Sequence, residues 1–149
     1  MAGEPIESFS GEWRWLSNFY LVPVPFDGIW YPSVEHAYQA AKTDDPTLRA
    51  AIRLAPTPGK AKKMGRTIKL RPDWHTVKMS VMVRLLRQKF KPGTTLAKLL
   101  VATNGRELIE DNRWGDTFWG ICRGKGENHL GNLLMLQRDR LIADERFRS

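Results

Sequence analysis

Closely spaced helix-start signals divide the middle of this chain into a series of short helices. At Asp45-Pro46 and again at Thr57-Pro58, a capping side chain stands directly before a proline suited to the first helical turn. Gly65 then marks the end of the second of these helices. Helix starts are predicted at Pro32-Ser33, Asp45-Pro46, Thr57-Pro58, about Asp73 (the longest helix, to about Phe90), Thr94 or Thr95, and Asn128, which caps a last helix to about Ala143.

Strands are confined to short stretches, and residues 1–30 are predicted to form strands and turns. Asp27-Gly28 lies between the apolar segments Val24–Phe26 and Ile29–Tyr31, which is a strong signal for a hairpin. The prediction is therefore an α+β fold, a mostly helical single domain with a small antiparallel β-sheet. No linker or repeat divides the chain, so this domain covers residues 1–149, with a core over about residues 9–142.

Composition excludes several classes of protein. Hydrophobic residues make up 42% of the chain and charged residues 27%, which is typical of a globular domain. No run of about 18 apolar residues is present, so no membrane-spanning helix and no membrane partner are expected. The first residues lack the basic and apolar regions of a secretory signal. With one cysteine and three widely separated histidines, we expect no internal disulfide and no metal site. We also expect that the protein uses no cofactor and is located in the reducing cytoplasm.

The charge balance favours a phosphate-bearing partner. The 24 Lys and Arg residues outnumber the 16 Asp and Glu residues, and the formal net charge is +8. Such a balance is typical of proteins that bind a nucleotide, a nucleic acid or an anionic surface. Ordinary solubility charge is the alternative explanation.

Two carboxylates are candidates for chemistry. Glu35 lies in the first turn of its predicted helix, and Gln39 and Lys42 share a stripe with it. Asp116 lies in the aromatic segment Trp114–Gly120, where rings of this kind could stack on nucleobases. Each carboxylate also has a structural explanation, which is helix-start electrostatics for Glu35 and a turn for Asp116.

Two further features could contact phosphate. Gly126 and Asn128 lie in a glycine loop directly before the last helix, whose N-terminus offers amide groups to an anion. Trp74 and Lys78 share a face of the longest helix. The alternatives are a plain glycine turn, and a core tryptophan beside a solvated lysine.

Six blocks of the sequence, spread in order from about Phe9 to Leu141, carry a resemblance to a known family. They are Trp15–Tyr20, Tyr31–Lys42, Asp73-Trp74 with Lys78-Met79 and Lys89-Phe90, Asp116–Gly120, Gly126–Gly131 and Leu134–Arg138. Together they resemble the NADAR, or YbiA-like, family.

This resemblance implies an N-glycosidase, a hydrolase that cleaves the bond between ribose and a nitrogen of a base. The favoured substrate is ADP-ribose carried on guanine in DNA or RNA, because a polymer substrate suits a basic protein. Its release would be a step of DNA repair that follows an ADP-ribosyltransferase, and a gene for such an enzyme encoded nearby would favour this substrate. The alternatives are phosphorylated ribosylamino-pyrimidine intermediates of riboflavin biosynthesis, and a non-catalytic module that binds ADP-ribose or nucleic acid.

The resemblance also implies roles for single residues. Glu35 is expected to be the main catalytic carboxylate, which orients water or exchanges a proton. Asp116 is expected to be the second, either as a partner acid or base or as an acceptor for a ribose hydroxyl group. The rings of Trp74 and Trp119 are expected to stack on the base. Lys42 and Asn128 are expected to hold ribose or phosphate. The full set of predicted substrate-binding residues is Asn18, Phe19, Gln39, Lys42, Trp74, Lys78, Trp114, Trp119, Gly126, Asn128 and Arg138.

Overall fold

Helices dominate the computed structural model, which describes residues 3–148. Residues 1, 2 and 149 of the predicted domain lie outside the described residues. The predicted class, a mostly helical α+β fold with a small antiparallel sheet, is confirmed. The described elements are a 3₁₀ helix (Gly11–Leu16), β1 (Val24–Phe26), β2 (Ile29–Tyr31), α1 (Val34–Ala40), α2 (Pro46–Arg53), α3 (Pro58–Gly65), α4 (Trp74–Lys89), α5 (Thr95–Ala102), β3 (Asp111–Asn112), β4 (Ile121–Cys122) and α6 (His129–Arg148).

Capping side chains begin four of the helices, each at a predicted helix start. The side chains of Ser33, Asp45, Thr57 and Thr94 each accept a hydrogen bond from a backbone amide in the first turn of α1, α2, α3 and α5. A cap of this kind stabilises a helix by about 1 kcal/mol. The 3₁₀ helix near the N-terminus was not predicted, since residues 1–30 were expected to form strands and turns. Ser10 precedes this helix but makes no capping hydrogen bond through its side chain.

The hairpin forms as predicted. Strands β1 and β2 pair antiparallel, with Val24 opposite Tyr31. Asp27 (φ 48°) and Gly28 (φ 80°) both adopt the left-handed conformation that a two-residue hairpin turn needs. Strands β3 and β4 form a separate two-residue parallel pair.

The chain divides into two compact units. The central unit is Asn18–Lys89, and the terminal unit comprises the described residues of Met1–Ser17 and Phe90–Ser149. In the central unit, α1 packs against α2, α3 and α4, and every residue of α1 is buried. In the terminal unit, α5 packs against α6. No helix among the described residues has the length and apolar character needed to cross a bilayer. The expectation of a single domain stays a prediction.

Candidate active site

In the central unit, Glu35 is held by helix α1 and by a backbone hydrogen bond to the segment before the hairpin. Glu35 is 7% exposed and lies in the first turn of α1. Its amide donates a hydrogen bond to the carbonyl oxygen of Asn18 over 3.0 Å. Two of the predicted site residues are therefore joined through the main chain.

Glu35 and Gln39, which were predicted to share a stripe of α1, form a direct hydrogen bond. Gln39 Nε2 donates to Glu35 Oε1 over 2.7 Å, and Gln39 is 3% exposed. A hydrogen bond to an ionised group is stronger than one between neutral groups. The bond therefore limits rotation of the Glu35 carboxyl group.

His36 anchors the helix that carries Glu35. Its Nε2 lies 3.0 Å from the carbonyl oxygen of Ala55, and its Nδ1 lies 2.7 Å from Ser33 Oγ. Because a carbonyl oxygen only accepts, Nε2 carries the proton in this arrangement and Nδ1 accepts from the hydroxyl group. The ring of His36 thus holds the start of α1 to the end of α2 and takes a structural role.

Lys42 lies in a group of positive charges. Burial lowers the pKa of Lys42; the Glu35 carboxylate raises it, and Arg66, Lys62 and Lys78 lower it further. The Lys42 ammonium nitrogen is also 5.6 Å from the centre of the Tyr38 ring. We call Lys42, Lys62, Arg66 and Lys78 the cationic group.

Two members of the cationic group were not predicted as site residues. Lys62 belongs to α3, and Arg66 is the first residue after this helix. Their sequence signal was the lysine-rich stretch Lys60–Lys63, which local pattern alone does not connect with Glu35. The Lys62 ammonium also lies 5.9 Å from the centre of the Phe19 ring, which is 42% exposed. Phe19 therefore presents an aromatic ring beside a cation.

Trp74 is placed in the packing of the central unit. It is 3% exposed, and its ring meets that of Tyr38 with centroids 5.1 Å apart at an interplanar angle of 61°. The Trp74 ring is therefore part of the contact between α4 and α1. Its exposure does not support the predicted stacking on a base.

Asp116 organises a turn in the terminal unit. Its Oδ1 accepts hydrogen bonds from the amides of Phe118 (3.1 Å) and Trp119 (2.9 Å). Its own amide and carbonyl are held by the side chain of Asn112, over 3.0 Å and 2.8 Å. The turn interpretation therefore describes what one oxygen of this carboxylate does, and the catalytic role stays a prediction.

The aromatic residues near Asp116 differ in exposure. Trp114 is 62% exposed, whereas Trp119 is half-buried. The Phe118 ring lies 4.9 Å from Trp119 and 4.5 Å from His129 between centroids. Trp114 thus offers the largest exposed aromatic surface of this segment.

The prediction that Asn128 caps α6 is wrong. Asn128 is 6% exposed, and its Nδ2 donates to the carbonyl oxygen of Leu108 over 2.9 Å. Its Oδ1 accepts from the amide of Glu110 over 3.0 Å. The side chain therefore joins the loop before α6 to a distant segment and does not bond the first turn of the helix.

Four amides at and just before the start of α6 are already used within the structure. The amides of residues 127–130 donate to the carbonyl groups of residues 117–120. Gly126 has φ 146°, and a Cβ atom there would overlap the carbonyl oxygen of Gly120. The loop is therefore built on internal contacts, and it offers no anion site through these amides.

Arg138 ties helix α6 to the end of α5. It is 6% exposed, and its Nη1 donates to the carbonyl oxygens of Thr103 (2.9 Å) and Arg106 (2.8 Å) and to Thr103 Oγ1 (3.0 Å). Burial lowers the pKa of Arg138, and Asp139 raises it. These contacts give the guanidinium a structural role and do not support the predicted contact with substrate.

The predicted site residues fall into two sets. No group of side chains among the described residues is placed to hold a metal ion. The central unit contains Asn18, Phe19, Glu35, Gln39, Lys42, Trp74 and Lys78, and the terminal unit contains Trp114, Asp116, Trp119, Gly126, Asn128 and Arg138.

Comparisons with known proteins find relatives along most of the chain. The family model described as the NADAR domain matches residues 8–142. The chain is 39% identical over 141 residues to N-glycosidase YbiA of Escherichia coli, covering 93% of this chain and 88% of that protein. It is 36% identical over 132 residues to an N-glycosidase of Nostoc punctiforme, covering 85% of this chain and 84% of that protein.

Two further matches are a solved structure and a relative that is named for riboflavin biosynthesis. The NMR structure of Escherichia coli YbiA matches with a TM-score of 0.86 and 38% identity, covering 97% of this chain and 89% of that chain. A riboflavin biosynthesis protein of Vibrio vulnificus is 38% identical over 129 residues, covering 85% of this chain but 35% of that longer protein.

Proposed function

Because this chain belongs to the NADAR family and is an N-glycosidase, we propose that it hydrolyses the ribose–nitrogen bond of an ADP-ribosylated guanine in DNA or RNA and releases ADP-ribose. The observation that carries the proposal is the buried Glu35–Gln39 pair beside the cationic group. The pair supplies a fixed carboxylate, and the cationic group supplies charge for phosphate. A substrate of this class requires both.

Glu35 suits the bond-breaking step. As the bond between the anomeric carbon and the guanine nitrogen breaks, its electron pair leaves with guanine and positive charge builds on the ribose ring. A nearby carboxylate stabilises that charge and accepts a proton from the attacking water. The water oxygen then becomes the new hydroxyl group of ADP-ribose, and the proton taken up by Glu35 passes to the guanine nitrogen, which restores guanine in the nucleic acid. Gln39 would keep the Glu35 carboxylate in one orientation throughout.

The cationic group suits the diphosphate of ADP-ribose. Lysine and arginine bind phosphate oxygens through charge-assisted hydrogen bonds. Burial is the main reason why the pKa of Lys42 is lowered, and the positive charges of Arg66, Lys62 and Lys78 lower it further. A bound diphosphate would offset both effects, so anion binding and protonation of Lys42 favour each other.

The same geometry admits a smaller substrate as the second candidate. The Vibrio vulnificus relative is named for riboflavin biosynthesis, and a ribosylamino-pyrimidine monophosphate also combines ribose, an N-glycosidic bond and phosphate. The net charge of +8 favours the nucleic-acid substrate, because contacts with several phosphates release counterions. The hypothesis of a non-catalytic binding module is set aside, because the chain is an enzyme.

A product assay with both substrates tests the proposal. The protein is incubated with a guanine-ADP-ribosylated DNA oligonucleotide and, separately, with a phosphorylated ribosylamino-pyrimidine, and products are identified by mass spectrometry. We expect free ADP-ribose and an oligonucleotide with restored guanine, at a higher kcat/KM than for the pyrimidine. Turnover of the pyrimidine alone would reject the nucleic-acid substrate. On our proposal the reaction consumes the product of an ADP-ribosyltransferase that modifies guanine.

A further inference from the structure

The glycine that ends α3 lies against the side chain of Gln39. A Cβ atom at Gly65 would overlap Gln39 Oε1, and it would lie 2.7 Å from Cδ and 3.2 Å from Cβ of the same side chain. Gly65 is itself buried. The missing side chain at Gly65 therefore provides the space that the Gln39 amide occupies.

The backbone does not explain a glycine at this position. Gly65 is a helical residue of α3 and is not one of the glycines with positive φ, so an alanine could adopt its conformation. In a helix, glycine is about 0.5–1 kcal/mol less favourable than alanine. The close approach of Gln39 is the feature that an alanine would disturb.

We propose that Gly65 is a positioning residue for the N-glycosidase reaction, acting through Gln39 on Glu35. Gln39 Nε2 donates to Glu35 Oε1 over 2.7 Å, whereas Gln39 Oε1 has no hydrogen-bond partner in the described part of the chain. One hydrogen bond and the contact with Gly65 thus orient this amide. The inference rests on the proposed function through the catalytic role of Glu35.

The substitution Gly65→Ala separates positioning from folding. The overlapping atoms, Oε1 and Cδ of Gln39, are the far end of a flexible side chain, so Gln39 can swing away and the protein can still fold. The movement would break the bond to Glu35. Gly59→Ala is the matched control, because it changes a glycine of the same helix and its Cβ atom would lie 3.9 Å from the nearest atom, Thr57 Oγ1.

Kinetics give the first readout, with the guanine-ADP-ribosylated DNA oligonucleotide as the probe. Gly65→Ala is expected to lower kcat about 10–100-fold, the effect of a misplaced catalytic group. KM should stay within about threefold, because on this proposal Gln39 acts on Glu35 and the cationic group keeps its contact with phosphate. A raised KM with an unchanged kcat would make Gln39 a substrate contact and would overturn the positioning role. Gly59→Ala should keep the wild-type kcat. In a Gln39→Ala background, Gly65→Ala should cause no further loss, whereas full losses from both changes would overturn the proposal.

A second readout does not depend on activity. The side-chain amide resonances of Gln39 are assigned by NMR from their loss in Gln39→Ala. They should shift in Gly65→Ala and stay in place in Gly59→Ala. Unmoved resonances in Gly65→Ala would overturn the positioning role even if the enzyme is active as proposed. Full activity of Glu35→Gln would instead reject the catalytic role of Glu35, and the resonance shifts would still show that Gly65 orients Gln39.

Discussion

Burial lowers the pKa of Lys42 below that of an ordinary lysine, although the neighbouring Glu35 carboxylate raises it. The two residues lie on one stripe that begins in helix α1, and the charges of Arg66, Lys62 and Lys78 lower the same pKa further. This relationship joins the candidate catalytic carboxylate to the candidate phosphate site. We therefore expect substrate binding to depend on pH.

We expect kcat/KM to fall as pH rises through the lowered pKa of Lys42, because only the protonated ammonium attracts phosphate. This alkaline limb should therefore lie below the usual lysine pKa of 10.5. Lys42→Arg should move the limb to higher pH, since arginine stays protonated. Lys42→Met should remove the limb and raise KM. A Lys42→Met enzyme with an unchanged alkaline limb would contradict this role.

The same pKa difference affects stability. Between the lowered pKa of folded Lys42 and its value in the unfolded chain, the unfolded state binds more protons, so the free energy of unfolding rises with pH in that window. Lys42→Met should remove this rise. Urea unfolding at several pH values measures it, and an equal rise in both proteins would contradict the predicted contribution of Lys42.

Arg138 is expected to matter for stability more than for binding. Arg138→Met removes the donor that Thr103 and Arg106 share, so the free energy of unfolding should fall by about 2–4 kcal/mol. Urea unfolding measures this loss, and Arg113→Met is the control, because Arg113 is exposed. A raised KM with unchanged stability would return Arg138 to the substrate-binding residues.

Two tryptophans should respond in opposite ways. Trp74→Ala leaves a cavity beside Tyr38 and should lower the free energy of unfolding by about 3–5 kcal/mol. Trp114→Ala, at a residue that is 62% exposed, should change stability little. If Trp114 stacks on a base, its removal should weaken binding of the oligonucleotide by about 1–3 kcal/mol. Calorimetric binding and thermal unfolding of both variants distinguish packing from stacking.

The features that sequence predicted are those decided over a few residues. The cap at Asp45 and the turn at Asp27-Gly28 depend on neighbours within a few residues. The Glu35–Gln39 bond follows from helical periodicity, because residues four apart lie on one face. These elements needed no knowledge of the tertiary structure.

The features that sequence missed depend on contacts between distant segments. Asn128 bonds to residues 18 and 20 positions earlier in the chain, so its sequence neighbours indicated only a helix cap. Lys62 joins the cationic group because α3 packs against α1. The role of Gly65 is set by the position of Gln39, which no local pattern encodes.

The most direct test of the account is the reaction of Glu35→Gln with guanine-ADP-ribosylated DNA. The substitution keeps the shape of the side chain and removes the carboxylate, and thermal unfolding checks that the fold is retained. We predict that release of ADP-ribose falls at least about 100-fold, the usual contribution of a general acid–base group. Release at a rate close to that of the wild-type enzyme, from a folded variant, would contradict the central role of Glu35.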